Sequence, residues 1–308
     1  MDNPALLDHA SRMPADDPVL FDPPCEVHRP PQVTLPLVFS SPHSGNVYPF
    51  AFVHQSRLDA QALRRSEDAF VDALFRPVVS MGAPLIAARF PRAYLDLNRE
   101  PYELDPQMFE GRLPPFANTR SMRVAGGLGT IPRVVGEAQE IYARRLPAAE
   151  ATRRVETLYK PYHAALRRLI DQAHAEFGFA ILIDCHSMPS TSFGRDEPAR
   201  ADVVLGDRFG TSCSGLITDA LEQELRARGL TVLRNKPYAG GFITEHYGRP
   251  GRDRHAIQIE VNRALYMDER TLAPHDGFGR LAGILSDAMR AFGEAPLAYL
   301  ASGRLAAE

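Results

Sequence analysis

Three apolar runs in this chain each end in a short polar motif, and that arrangement narrows the folds open to it. VTLPLVFS runs into SPHSG at 41–45, FAILI into DCHS at 184–187, and AIQ into IEVNR at 259–263. A short apolar run bounded by turn-forming residues reads as a buried strand. Strands are expected at 33–41, 84–89, 92–97, 179–185, 202–205, 230–234 and 256–262. Helical periodicity covers 58–80, 137–177, 214–228 and 269–292, with breaks expected near Pro147 and Pro161. Strands alternating with helices predict an α/β fold: a mixed, mainly parallel sheet flanked by helices. In such sheets chemistry collects at the carboxyl ends of the strands, which is where the polar motifs fall.

The Pro- and Asp-rich residues 1–32 are expected to form a surface arm, and 33–308 a single catalytic domain. Residues 98–132 fit neither period. A loop of that length inside a compact domain is usually functional, and this one is expected to wrap the mouth of the site.

Composition closes off several function classes. A formal charge of −3 gives no electrostatic footprint for nucleic acid. No apolar stretch approaches the ~18 residues of a membrane span, so no membrane association is expected. The start, MDNPALLDHA, lacks the basic and apolar regions of a signal peptide. The three cysteines are isolated and form no C-x-x-C pair, which suits a cytoplasmic location. The oligomeric state is left open.

The polar motifs carry candidate chemistry. His43 and His186 each stand at the exit of a strand. Zinc takes histidine nitrogen and carboxylate oxygen, and a catalytic zinc keeps one position for water. The carboxylate comes from the pair Glu67 and Asp68. Asp68 is preferred because it lies beside the apolar face through Phe70, Val71 and Leu74, while Glu67 is expected to look to solvent. Glu260, in a nearly continuous apolar strand, is expected to have its pKa raised by burial toward the range of a general base; an ion pair with Arg263 is the competing reading.

Asn98 and Arg99 close one expected strand, and Asn262 and Arg263 another. A guanidinium matches a carboxylate through two parallel hydrogen bonds, so Arg99, Arg133 and Arg263 suit a small anionic substrate. Thr244 and His246, after the Gly240-Gly241 pair, are further candidates for substrate contact. A serine hydrolase lacks its G-x-S-x-G elbow here, a dinucleotide enzyme its G-x-G-x-x-G, and Cys185 should point away from Asp184 and His186.

Taken together, SPHSG, LRRSEDAFVD, ARFPRAYLDLNREPYELDP, GLGTIPRVV, DCHSMP, NKPYAGGFITEHYG and IQIEVNRALYMDE resemble the N-formylglutamate amidohydrolase (deformylase) family. The likeness runs from about residue 25 to 290, with the motifs in family order. It implies a phosphorylase/hydrolase-like fold related to zinc carboxypeptidases. It also implies hydrolysis of an N-formyl amide to formate and a free amino acid, as in histidine degradation. By this resemblance His43, Asp68 or Glu67, and His186 fall where zinc is held, Glu260 where the general base stands, and Asn98 and Arg99 where a substrate carboxylate binds. Residue 46, where a compact His-x-x-Glu pair would place its glutamate, is Asn46, so the carboxylate comes from further along the chain. Ala69 and Phe70 replace a Trp-His typical of the histidine-pathway enzyme, which keeps another N-acyl amino acid open as substrate. A carboxypeptidase-like enzyme or N-acyl amino acid deacylase is the alternative. A metal-free binding protein for an acidic metabolite is the alternative of another class.

Overall fold

The computed structural model describes residues 20–192 and 201–305, apart from the side chains of 137 and 295–305. The chain gathers into two compact units. One comprises residues up to Glu26, Gly45–Glu67 and Ala88–Tyr162; the other comprises Val27–Ser44, Asp68–Ala87 and the chain from His163 onward. Of the expected arm, residues 1–19 lie outside the described residues, and Cys25–His28 forms a strand.

The second unit is built on a mixed, mainly parallel sheet. Its strands are β1 (Cys25–His28), β2 (Leu37–Ser41), β3 (Leu85–Ala88), β4 (Ala180–Met188), β5 (Val203–Gly206), β6 (Val232–Arg234) and β7 (Arg254–Asn262), in the spatial order β1-β3-β2-β4-β7-β5-β6. The pairs β2–β3, β2–β4, β4–β7 and β5–β6 are parallel, and β7–β5 is antiparallel. Helices α1 (Val71–Phe75), α2 (Lys160–Phe177), α3 (Gly215–Ala227), α4 (Phe242–Tyr247) and α5 (Gly277–Leu305) flank it.

Side chains alternate across a strand, and β4 and β7 use the alternation to separate two environments. Ile181, Ile183 and Cys185 of β4, with Ile257, Ile259 and Val261 of β7, enter the main apolar core, where α3 contributes Leu221 and Leu225 and α5 contributes Leu285 and Phe292. The intervening positions on the other face include Asp184, His186, Gln258 and Glu260, all buried. The register sets Ser40 beside Asp184, Asp184 beside Gln258, and His186 beside Glu260.

Four expected elements come out differently, one of them the helix expected at 269–292, which starts only at Gly277 after the short strand Ala273–Pro274. Residues 92–97 form turns rather than a strand: Tyr94 N–H donates to Pro91 O at 2.9 Å, and Asn98 N–H to the Asp96 carboxylate at 2.8 Å. The expected helix 58–80 is broken. Ala60–Arg64 is helical in the first unit and Val71–Phe75 in the second, and Phe70, in the left-handed region at φ 64°, stands at the head of α1. The expected helix 137–177 begins only at Ala148, after Pro147. It passes through a π turn at Val155–Tyr159 ahead of Pro161, instead of breaking there. A π turn shifts the hydrogen-bond register by one residue, which lets the chain accommodate a proline that donates no N–H.

In the first unit, buried Arg154 lies 3.7 Å from the ring centroid of Tyr94 and pairs with Glu150 at 2.7 Å. Loop 98–132 carries only short elements, among them Pro106–Met108 and Met122–Ala125.

At the end of β5, Gly206 admits a close approach. A Cβ there would lie 2.7 Å from backbone atoms of Ala239 and Gly240. Arg208 N–H donates to Ala239 O at 2.8 Å, so loop 235–241 rests directly on the strand end.

Candidate metal centre

His43 sits in the turn after β2, His186 near the end of β4, and Asp68 in the bend ahead of α1. All three are almost fully buried, at 1%, 2% and 1% exposure respectively. Among the described residues they form the group of His, Cys, Asp and Glu side chains whose donor atoms lie together, all within 4.8 Å of one another. Asp68 Oδ2 is 2.9 Å from His186 Nδ1 and 3.3 Å from His43 Nδ1, and the two rings lie 4.8 Å apart between centroids. The backbone contributes as well: Asp68 N–H donates to His43 O at 3.0 Å, tying two of the three residues together.

Surrounding groups fix each side chain. The second ring nitrogen of His186 meets the Asp184 carboxylate at 2.9 Å, and Ser40 donates to the other Asp184 oxygen at 3.1 Å. Metal-binding histidines are commonly held in this way, which sets tautomer and ring orientation. Asp68 Oδ1 accepts from Ser187 Oγ at 3.2 Å and from Arg263 at 3.1 Å, leaving Oδ2 turned toward the histidines.

Charge is distributed accordingly. Burial alone would raise the Asp68 carboxyl, but hydrogen bonds from His186 and His43, with their positive charge, hold it well below the usual carboxylate range. Burial pulls His186 down, yet the charge and hydrogen bond of Asp184, then those of Asp68, push it well above the usual histidine range. The cluster thus favours a positive charge among its donors, supplied by a proton in the metal-free chain. Around a tetrahedral ion with bonds of about 2.0–2.2 Å, donor atoms stand about 3.3 Å apart. Separations of 2.9 and 3.3 Å from Asp68 Oδ2 are of that size. Two imidazoles and a carboxylate also match the donor preference of zinc, so the residues fit such an ion.

Glu260 is 7% exposed and directly beside His186 in the register of β7 and β4. Gln258 Nε2 donates to Glu260 Oε1 at 2.7 Å and fixes its orientation.

A family model described as N-formylglutamate amidohydrolase matches residues 35–267. The N-formylglutamate amidohydrolase of Ralstonia eutropha JMP134, known from its crystal structure, is 39% identical with a TM-score of 0.83, covering 91% of this chain and 99% of its own. The chain belongs to the N-formylglutamate amidohydrolase family. An N-formylglutamate deformylase of Pseudomonas putida is 30% identical over 241 residues, which is 77% of this chain and 84% of the relative. The gene product Atu2144 of Agrobacterium tumefaciens, at 18% identity and a TM-score of 0.63, shares the fold.

The structure distributes the remaining sequence candidates of this N-formylglutamate amidohydrolase family member less evenly. Glu67 is as buried as Asp68, contrary to the expectation that it faces solvent. It belongs to the first unit, where Arg64 binds it at 3.0 Å and Tyr48 donates to it at 2.5 Å. The reason is the broken helix: a single helical phase does not run through 66–70, so neither carboxylate lies where a continuous helix would put it. Arg263, expected to bind substrate or pair with Glu260, donates to Asp68 and Ser187.

In the first unit Asn98 is buried in a turn. Arg99 donates to Leu128 O at 2.7 Å and to Asn98 O at 2.8 Å, and Tyr159, from the π turn, donates to Arg99 O at 2.7 Å. Arg133 pairs with Asp105 at 3.0 Å and with Glu140 at 3.4 Å. In the second unit Thr244, inside α4, is fully buried and its hydroxyl donates back to Gly241 O at 2.9 Å. His246 meets Arg167 at 2.8 Å, and burial followed by the charges of Arg167 and Arg249 lowers its pKa.

Sequence reasoning passed over Asp184 as an orienting carboxylate, Ser187 as a partner of Asp68, and Tyr238. Tyr238 packs against Met188 and Val204 and meets Ser192 at 2.9 Å. Burial, then the nearby Glu260, raise its pKa against the opposing effect of Ser192, and the charges of Arg263 and Asp68 reach it too. The glycine pair that follows Tyr238 in NKPYAGG was the available signal. Cys185 lies in the apolar core, opposite the polar face, as the alternation required. Among the described residues no helix is long and apolar enough to cross a membrane.

Proposed function

We propose that this chain hydrolyses the formyl amide of N-formylglutamate, or of a close N-acyl amino acid, releasing formate or the corresponding acid and the free amino acid. The observation that carries this reading is the convergence of His43, Asp68 and His186 beside Glu260, in a chain of this family. We take His43, His186 and Asp68 Oδ2 to hold a divalent ion, zinc first. When bound, such an ion supplies Lewis acidity, acidifying water and polarising a carbonyl.

The chain's own groups do the rest. Glu260 accepts a proton from the attacking water as the new C–O bond forms at the acyl carbon. It then delivers that proton to the amide nitrogen as the C–N bond breaks, so the amine leaves neutral. Gln258 keeps the Glu260 carboxylate oriented for both transfers. Asp184 keeps the His186 ring fixed while charge changes around it.

Arg99 is the candidate for the substrate carboxylate. Burial lowers its pKa; Asp96 opposes the lowering, and the nearby Arg92 and Arg123 add to it. Crowded like charges of this kind are relieved by an anion. Arg99 pairs with Asp96 at 3.5 Å, as Arg133 and Arg263 pair with carboxylates of the protein, but Asp96 also serves Arg92 at 3.0 Å, so one carboxylate is shared between two guanidiniums. Cys25, Cys185 and Cys213 are buried and form no disulfide, which supports a reducing compartment such as the cytoplasm.

The test is a panel of N-formyl and N-acetyl amino acids, with formate or acetate and free amine quantified alongside metal content. Release of equimolar formate and glutamate from N-formylglutamate is expected. Absence of turnover on the whole panel by metal-replete protein would sink the reading.

A further inference from the structure

Arg263 is 6% exposed, and its guanidinium is turned toward the metal cluster rather than toward solvent. Its Nε donates to Ser187 Oγ at 3.0 Å, and one terminal nitrogen donates to Asp68 Oδ1 at 3.1 Å. Ser187 Oγ in turn donates to the same Asp68 oxygen at 3.2 Å. The hydroxyl therefore has a fixed sense, accepting from Arg263 and giving to Asp68. The three groups close a ring of hydrogen bonds around Oδ1.

The mount is stiff on both sides. Asn262 caps the turn Arg263–Leu265 through Ala264 N–H at 3.1 Å, and its amide donates to Ala201 O at 3.2 Å. Three residues on, Tyr266 OH donates to Ala69 O at 3.0 Å, gripping the backbone next to Asp68. His43 O holds the Asp68 N–H from the other direction. Asp68 is thus held at its own N–H, at the carbonyl of the next residue and at one carboxylate oxygen.

We propose that Arg263, acting with Ser187, is a positioning residue that makes Asp68 a one-oxygen ligand by occupying Oδ1. This rests on the metal reading above. A free carboxylate can offer a cation one oxygen or two, and a second contact fills the position that a catalytic site keeps open for water. Holding Oδ1 on a guanidinium and a hydroxyl removes that choice. A lysine at 263 would keep the charge but not the geometry, because a single ammonium on a flexible stem does not reproduce two donors in a rigid fork.

The experiment titrates chelator-treated full-length wild type, Arg263→Lys, Arg263→Gln and Ser187→Ala with Zn2+ alone in competition with a coloured chelator, and records visible spectra of the same proteins loaded with Co2+. Circular dichroism of each variant without metal reports the fold. For Arg263→Gln the expected outcome is metal binding weaker by about 10–100-fold and a Co2+ absorption of lower intensity, the change that follows a rise in coordination number. Arg263→Lys should fall between wild type and Arg263→Gln, and Ser187→Ala should move the spectrum in the same direction by less. If Arg263→Gln does not fold, the other two variants decide. Unchanged Zn2+ affinity and an unchanged Co2+ spectrum in Arg263→Lys and Ser187→Ala, with only KM raised, would overturn the proposal and return Arg263 to the substrate. Failure of wild type itself to take up any divalent ion would overturn this proposal together with the metal reading. Wild-type uptake with unaffected variants would overturn this proposal alone.

Discussion

The two faces of β4 do opposite work with neighbouring residues. Ile181, Ile183 and Cys185 are part of an apolar core, while Asp184 and His186, interleaved with them, belong to a hydrogen-bonded polar cluster. Both sets are buried, so burial does not distinguish them; partners do. On the apolar face a residue needs only volume and shape. On the polar face each group needs a specific counterpart, and Ser40, Asp184, His186, Asp68, Ser187 and Arg263 form one connected chain of them. A buried polar network of this kind tolerates loss of a member poorly, because the abandoned partner is left desolvated.

The contrast can be broken most sharply at the histidines. His43→Ala and His186→Ala should each lose bound metal on elemental analysis and lose turnover with it, while far-UV circular dichroism stays close to wild type. Full occupancy in both would remove the metal assignment. Asp68→Asn should likewise lose metal, whereas Glu67→Gln, whose carboxylate is bound to Arg64 and Tyr48, should keep it.

One step down in size is Glu260→Gln. It preserves shape and should retain metal, but turnover should fall by about 10²–10⁴-fold, the usual share of general acid–base catalysis. Near-normal kcat would make Glu260 a structural partner of Gln258.

The apolar face answers differently. Ile183→Ala should destabilise by about 2–5 kcal/mol in chemical denaturation, as large-to-small core changes do. The Zn2+ affinity of the folded fraction should remain. A comparable loss of affinity would mean that the two faces are not independent.

Smallest is the pH response. His186 is pushed above its ordinary value mainly by Asp184, so its protonated form competes with a metal ion already near neutrality. Zn2+ affinity should therefore weaken as pH falls through that raised value. In the metal-free chain the sign is reversed for stability. The His186 contribution is fully present below the unfolded pKa of about 6.5 and is lost as pH rises through the folded value. Asp68, held low, contributes above its unfolded pKa of about 3.9 and loses its contribution as pH falls through the depressed one. Thermal melts of chelator-treated protein across pH, with Asp184→Asn as comparison, should show the His186 component flatten in the variant. An identical profile would assign the titration to another group.

Much of this architecture was legible in the sequence where local pattern decides. The apolar runs located β2, β4, β5 and β7, and the polar residues just beyond or within their ends located His43, His186 and Glu260. The reading weakened where one segment depends on another far away. Arg263 and Asp68 are 195 positions apart, and nothing local to IEVNR distinguishes a guanidinium that binds substrate from one that braces a carboxylate. Residues 92–97 alternate as a strand would, but the Asp96 side chain captures the Asn98 N–H and the backbone turns instead. The helical period through 58–80 concealed a break at 65–70, although Phe70 in the left-handed region gives no sequence signal of the kind that glycine gives.

The glycine at 206 carries a consequence for how this scaffold can change over generations. With the loop backbone 2.7 Å from where a Cβ would stand, one hydrogen atom sets the clearance between that loop and the end of β5. Gly206→Ala would force residues 239–240 away, moving the loop that bears Tyr238, at the end of a strand that itself supplies none of His43, Asp68, His186 and Glu260. Shape on that side of the site is thereby separable from its chemistry, and a lineage can explore one by single substitutions without first surrendering the other.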